Sequence, residues 1–198
     1  MSAHHDEQQE LENAKHLWQT GGKWVFAALV AAALGYLGNV IYKGQVNSQN
    51  QEAATLAAQV KGDTAKLSAL QQSHGKSAAA AQASLETAKT LFDNGKLDEA
   101  AAAYRWVLDN QKAPLFQAAA AQSLANVLLQ QKKFDEALSV LNTPVDDSFA
   151  PLMNETKGDV LAAQGKNKEA AEAYQLALDK LPENSASREL VQLKLGQL

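Results

Sequence analysis

The chain has 198 residues, with 18 lysines and arginines against 22 acidic residues and no cysteine. A formal charge of −4 with the two signs interspersed gives no basic footprint for nucleic acid or an anionic lipid surface, and without thiolates there are no disulfides and no thiolate-held structural zinc. Alanine and leucine dominate, proline occurs four times and no β-rich run appears, so the composition is that of an all-α protein whose partners are proteins.

Residues 1–23 are mostly polar and carry Asp6, Glu7, Glu10 and Glu12. Leu11, Ala14 and Leu17 with Trp18 have helical spacing ahead of Gly21-Gly22, which fits a short amphipathic helix or a solubilising tail. His4, His5 and Asp6 have ligand chemistry but no supporting residues around them, so no metal site is expected.

Residues 24–42, Trp24 to Tyr42, are free of charge and closed by Lys23 and Lys43. At 1.5 Å per residue such a helix spans about 28 Å, close to the hydrocarbon thickness of a bilayer, and its two end aromatics sit where interfacial rings do. A buried helix of a globular domain would keep a polar stripe, whereas here the one strongly polar side chain is Asn39 near the end. A cleaved leader would have a shorter apolar core behind a short basic region, not an acidic 23-residue segment. The stretch therefore reads as an uncleaved transmembrane helix. Lys15 and Lys23 before it, against Lys43 close after it, orient the N-terminus towards the cytoplasm and the rest outward, into the periplasm of a bacterium. Ala27, Ala31, Gly35 and Asn39 share one small-residue register, which allows close helix packing in lipid and self-association.

Residues 43–77 read as a linker with capping helices. Ala53, Leu56, Ala57 and Val60 fall on one helical face, Leu67 and Leu70 on another, and Gly62-Asp63 separates them. Gly75-Lys76-Ser77 matches the end of a phosphate-binding loop, but the required earlier glycine is Leu70 and no strand precedes it, so no nucleotide cofactor is expected.

Residues 78–198 repeat. Gly95-Lys-Leu-Asp-Glu-Ala100, Lys132-Lys-Phe-Asp-Glu-Ala137 and Gly165-Lys-Asn-Lys-Glu-Ala170 place their alanines 37 and then 33 residues apart, near the 34-residue period of tetratricopeptide repeats. Each unit predicts a pair of antiparallel helices, and three units suffice for an α-solenoid. In the third, Gly158 and Ala170 let two helices approach, Tyr174 fills the space between them, and Pro182 stops the second helix. The middle unit departs from the pattern: Lys132 replaces the turn glycine, and Pro144 predicts a short second helix followed by a loop over 142–150. Val191, Leu195 and Leu198 predict a last helix covering the third unit. The acidic residues of the repeated turns read as helix-start residues, acting by capping and on the helix dipole. None pairs with a histidine at a useful spacing, so no catalytic residues are assigned.

The repeat offset aligns Lys89, Asn126 and Asp159 on three successive first helices, and Leu85, Gln122 and Glu155 one turn earlier. First helices of such stacks line a concave face, so these six are the expected partner-binding residues, with a merely solvated face as the alternative.

With these features in place, the chain resembles the ancillary subunit family of the bacterial SecYEG translocon. The resemblance rests on Asp6-Glu-Gln-Gln-Glu-Leu-Glu-Asn-Ala-Lys15, Leu17-Trp18 and Gly22 directly before a single span, then an Ala/Leu-rich repeat domain to the C-terminus. It implies a single-pass inner-membrane protein with a periplasmic repeat domain and no catalytic residues. The implied partners are the SecYEG translocon, a membrane-anchored prolyl isomerase-like chaperone and exported unfolded polypeptides, which pass on to periplasmic chaperones. In some relatives the cytoplasmic stretch is linked to control of a stress-response regulator, for which this chain offers Glu7 to Trp18. A structural scaffold that joins inner-membrane proteins without binding clients is the alternative.

Overall fold

A computed structural model describes residues 12, 15, 16 and 18–198, which divide with the rest of the chain into two compact units, Met1–Gln49 and Asn50–Leu198. Among the described residues all regular structure is helical. His4, His5 and Asp6, and Leu11, Ala14 and Leu17 of the expected amphipathic helix, lie outside the described residues.

In the first unit a π-helical turn, Trp18–Gly22, leads into helix α1, Lys23–Val60, and the Trp18 ring sits 5.7 Å from that of Phe26. None of the apolar window of α1 is buried: Trp24 is 72% exposed and Ile41 68%. A helix that is apolar all round and has no protein against it needs a non-aqueous solvent, and α1 is long and apolar enough to cross a membrane. The helix does not end at Tyr42. It continues unbroken to Val60, so Ala53, Leu56, Ala57 and Val60 of the expected first capping helix belong to the same element.

In the second unit the end of α1 is followed by α2 (Thr64–His74), α3 (Ala78–Asp93), α4 (Leu97–Asn110), α5 (Pro114–Gln130), α6 (Phe134–Leu141), α7 (Ala150–Ala163), α8 (Asn167–Lys180) and α9 (Ala186–Leu195). Helices α3/α4, α5/α6 and α7/α8 are the three repeated pairs, and successive helices from α2 to α9 pack on one another. Asp63 accepts from the backbone N–H of Ala65 and Lys66 at the start of α2, and Ser77 accepts from that of Ala80 at the start of α3. Gly75-Lys76-Ser77 is thus a turn and a helix cap. A Cβ at Gly75 would collide with the Gln71 carbonyl oxygen.

The turn inside each pair has one geometry. Lys96, Lys133 and Lys166 donate their backbone N–H to the carbonyls of Leu91, Leu128 and Leu161, five residues back, at 2.8–2.9 Å. That closure requires a left-handed residue just before each lysine, found as Gly95 (φ 74°), Lys132 (φ 60°) and Gly165 (φ 77°). Lys132 therefore carries the steric cost that glycine avoids at the other two turns.

The acidic residues of these turns do not cap. The N-cap positions are Lys96, Lys133 and Lys166, with no side-chain cap hydrogen bond, and Asp98-Glu99, Asp135-Glu136 and Glu169 lie inside the first turn, where the helix dipole favours them and Lys96 pairs with Glu99 at 3.3 Å. The middle second helix is short, as Pro144 predicts: α6 has 8 residues where α4 and α8 have 14. The following loop is partly ordered by a 3-10 turn, Asp147–Phe149, whose cap Asp146 accepts from the Ser148 hydroxyl and backbone N–H, which hold its carboxyl below the usual range.

The interior is built largely from alanine. Ala88, Ala100, Ala101, Ala118, Ala121, Ala125 and Ala137 are buried around Leu124 and Leu128. A second cluster joins Tyr174, Ala177 and Leu178 to Val191 of α9, and a third joins Ala53 and Val60 to Leu67, Leu70 and Ala80. Gly158 and Tyr174 are in the close contact expected of them: a Cβ on Gly158 would overlap the Tyr174 ring at Cε1. Between repeats, Arg105 of α4 pairs with Glu136 of α6 at 2.9 Å, and Gln131 donates to Asp98 at 2.8 Å, two exposed links across the stack.

Candidate protein-binding face

The first helices α3, α5 and α7 are neighbours, α3 against α5 and α5 against α7, so the aligned residues sit on three adjacent helices of the second unit. Helices α3 and α5 turn an alanine-rich side inward, whereas α7 buries Met153, Thr156, Gly158, Val160 and Leu161, each set recurring at helical spacing.

On α3, Leu85 is half-buried and packs against the central cluster, while Lys89 is exposed and paired with Asp93 of the same helix at 2.6 Å. The Asp93 hydrogen bond and charge hold the Lys89 ammonium above its ordinary value. On α5, Gln122 is half-buried and Asn126 exposed. The face is therefore polar with mixed donors and acceptors in its first two repeats, a surface suited to backbone hydrogen bonding and without the charge density that would select a nucleic acid.

On α7 the corresponding pair has a partner within the chain. Lys194 of α9 donates to Glu155 Oε1 and to Asp159 Oδ2, both at 2.8 Å, and the Tyr174 hydroxyl donates to Asp159 Oδ1, also at 2.8 Å. Burial pulls the Lys194 ammonium down, but the hydrogen bonds and charges of Asp159 and Glu155 outweigh it, and the net shift is upward. Burial pushes the Tyr174 phenol up, and the Asp159 carboxylate adds to that. Of the six aligned residues, Glu155 and Asp159 are thus brought together on one ammonium, while Leu85 with Lys89 and Gln122 with Asn126 stand one helical turn apart on their own helices. Lys194 carries no motif: it lies 35 and 39 residues from its partners, and only the geometry of α9 reveals it.

Ala27, Ala31, Gly35 and Asn39 recur every four residues along α1, and all are exposed. Nothing lies within 4 Å of a Cβ built on Gly35, so the register presents a shallow, open strip. A concavity of about 320 Å³ lies among α2, α3 and α4 and is lined by Leu67, Gln71, Leu91, Glu99 and Trp106.

Residues 15–198 match the family described as tetratricopeptide repeat-like domain. The chain is 52% identical over 208 aligned positions, covering all of both chains, to a protein of Neisseria gonorrhoeae named ancillary SecYEG translocon subunit.

Proposed function

The chain belongs to the family of ancillary SecYEG translocon subunits with a tetratricopeptide repeat-like domain, and from that premise we propose that it is a non-enzymatic translocon accessory whose repeat unit receives polypeptides at the export channel. In this reading α1 anchors the chain in the bacterial inner membrane with the N-terminus cytoplasmic, and the repeat unit lies in the periplasm. Its partners are the SecYEG translocon, a membrane-anchored prolyl isomerase-like chaperone, and exported unfolded polypeptides handed on to periplasmic chaperones. The observation that supports the reading is the adjacency of the first helices, with Lys89 and Asn126 exposed on two of them. Such a hand-over requires no bond to be made or broken. A tether keeps the local concentration of a weak surface high, so modest contacts are made and released repeatedly.

In vivo photo-crosslinking tests it. Probes at positions 89, 126 and 159 are expected to capture many newly exported polypeptides, and probes at 35 and 147 far fewer. A few fixed neighbours from all five positions would instead favour the scaffold reading. Separately from either reading, the open strip of Ala27, Ala31, Gly35 and Asn39 would let α1 pack against another copy of itself. For this contact, Gly35→Leu is expected to reduce crosslinking between copies in the membrane severalfold, and unchanged crosslinking removes it.

A further inference from the structure

Resting on the reading of the first-helix face as a peptide groove, we infer that α9 is an autoinhibitory strap: its Lys194 occupies the carboxylate pair Glu155/Asp159, the place a lysine or arginine of a bound segment would take. In the first two repeats Asn126 is exposed and Lys89 is paired within its own helix, while Leu85 and Gln122 are half-buried. In the third they hold an ammonium supplied from 35 and 39 residues further along the chain. The two carboxylates converge on one cation and Tyr174 fixes the second oxygen of Asp159, so the site is set out for a primary ammonium or guanidinium.

The strap is lightly held. Helix α9 has ten residues, too few to be stable alone, and Val191 is its one buried side chain. Leu190 and Leu193 are 48% and 60% exposed. Beside Lys194, its ties are Leu195, half-buried against the same cluster as Val191, Arg188 donating to the carbonyls of Leu178 and Leu181, and the Leu198 carbonyl accepting from Asn167. Elements with few buried contacts open well before the rest of a fold. A cationic segment arriving along the groove would exchange its own charge for that of Lys194, so the carboxylates are never left unpaired. The preference is for segments that carry lysine or arginine, which alone compete with Lys194 for the two carboxylates.

The full chain in lipid nanodiscs is titrated with two fluorescent, unstructured 12-residue peptides, one with three lysines and one with glutamines in their place. Lys194→Met keeps the aliphatic stem and removes the charge. It is expected to tighten the lysine peptide roughly tenfold, the size of one charge-assisted hydrogen bond, and to leave the glutamine peptide nearly unchanged. Lys194→Arg should behave as the parent, and Glu155→Gln with Asp159→Asn should abolish the preference for lysine. Amide exchange should quicken in α9 of Lys194→Met and stay unchanged in α5, which shows that the variant is folded. Quicker exchange in α9 with no gain in lysine-peptide binding would make α9 a plain structural cap and overturn the inference, as would equal tightening of both peptides. Capture of a permanently unfolded, carboxymethylated protein by the unmutated chain is measured alongside. If that capture occurs while Lys194→Met gains nothing, the strap fails and the client-binding reading stands; if neither chain captures anything, both fail.

Discussion

At the scale of single residues, the close contact between α7 and α8 depends on one missing methyl group. Gly158→Ala would gain helix propensity of about 1 kcal/mol, yet its Cβ would meet Cε1, Cδ1 and Cζ of Tyr174 at 2.8 Å or less, and that ring is buried against Ala177 and Val191. Overpacking in a site that cannot give costs about 1–3 kcal/mol, so the steric term wins. The expected outcome is a net loss of up to about 2 kcal/mol in urea denaturation of the full chain in detergent, read by circular dichroism, with the slope unchanged. An unchanged midpoint would mean that Tyr174 can leave its place freely. The pairing of Gly158 with Tyr174 is readable in the sequence because both sit at fixed places in a repeat, whereas the pairing of Lys194 with Glu155 and Asp159 is not. Nothing in a lysine near a chain end distinguishes a solvated side chain from one seated between two carboxylates.

At the scale of elements, the attachment of α9 is tied to pH through two groups shifted in the same direction. Lys194 and Tyr174 both bind their protons more tightly in the folded chain than their ordinary values of 10.5 and 10.0. A group raised in this way contributes stability that is fully present below its unfolded value and lost as pH rises through the folded one, so the contribution holds at neutral pH and falls above about pH 10. The melting temperature of the parent chain should therefore drop more steeply above about pH 10 than that of a Lys194→Met/Tyr174→Phe double variant. Parallel curves would mean that the triad of Lys194, Asp159 and Tyr174 adds nothing to stability. Helix pairs are legible from the Gly-Lys-x-x-Glu-Ala recurrence, and the shortness of α6 from Pro144. The unbroken run of α1 past Tyr42 is not, since Gly44 and the polar stretch 47–52 look like a linker in composition, and helical continuity there is decided by packing further along, at Ala53 and Val60. Nor is the role of the acidic turn residues, because a residue at the cap and one a position inside it have the same composition signal and differ only in backbone angle.

For the whole molecule, the separation into an apolar helix and a helical stack gives each part its own solvent. Leu34 sits in the middle of the apolar run and is 64% exposed, so a charge placed there would face hydrocarbon. Leu34→Lys is expected to cost about 3–4 kcal/mol of insertion free energy and to shift a measurable fraction of the chain into the carbonate-soluble pool. Complete retention in the membrane pellet would show that α1 is not surrounded by lipid. The alanine-rich interior of the stack has a thermal corollary. Heat capacity of unfolding grows with the apolar area exposed, and methyl groups expose little per residue compared with leucine or phenylalanine. A stack built this way has a shallow stability curve: it gains less at its optimum temperature than a leucine-filled fold of equal length, but keeps more of what it has when the surroundings cool or warm.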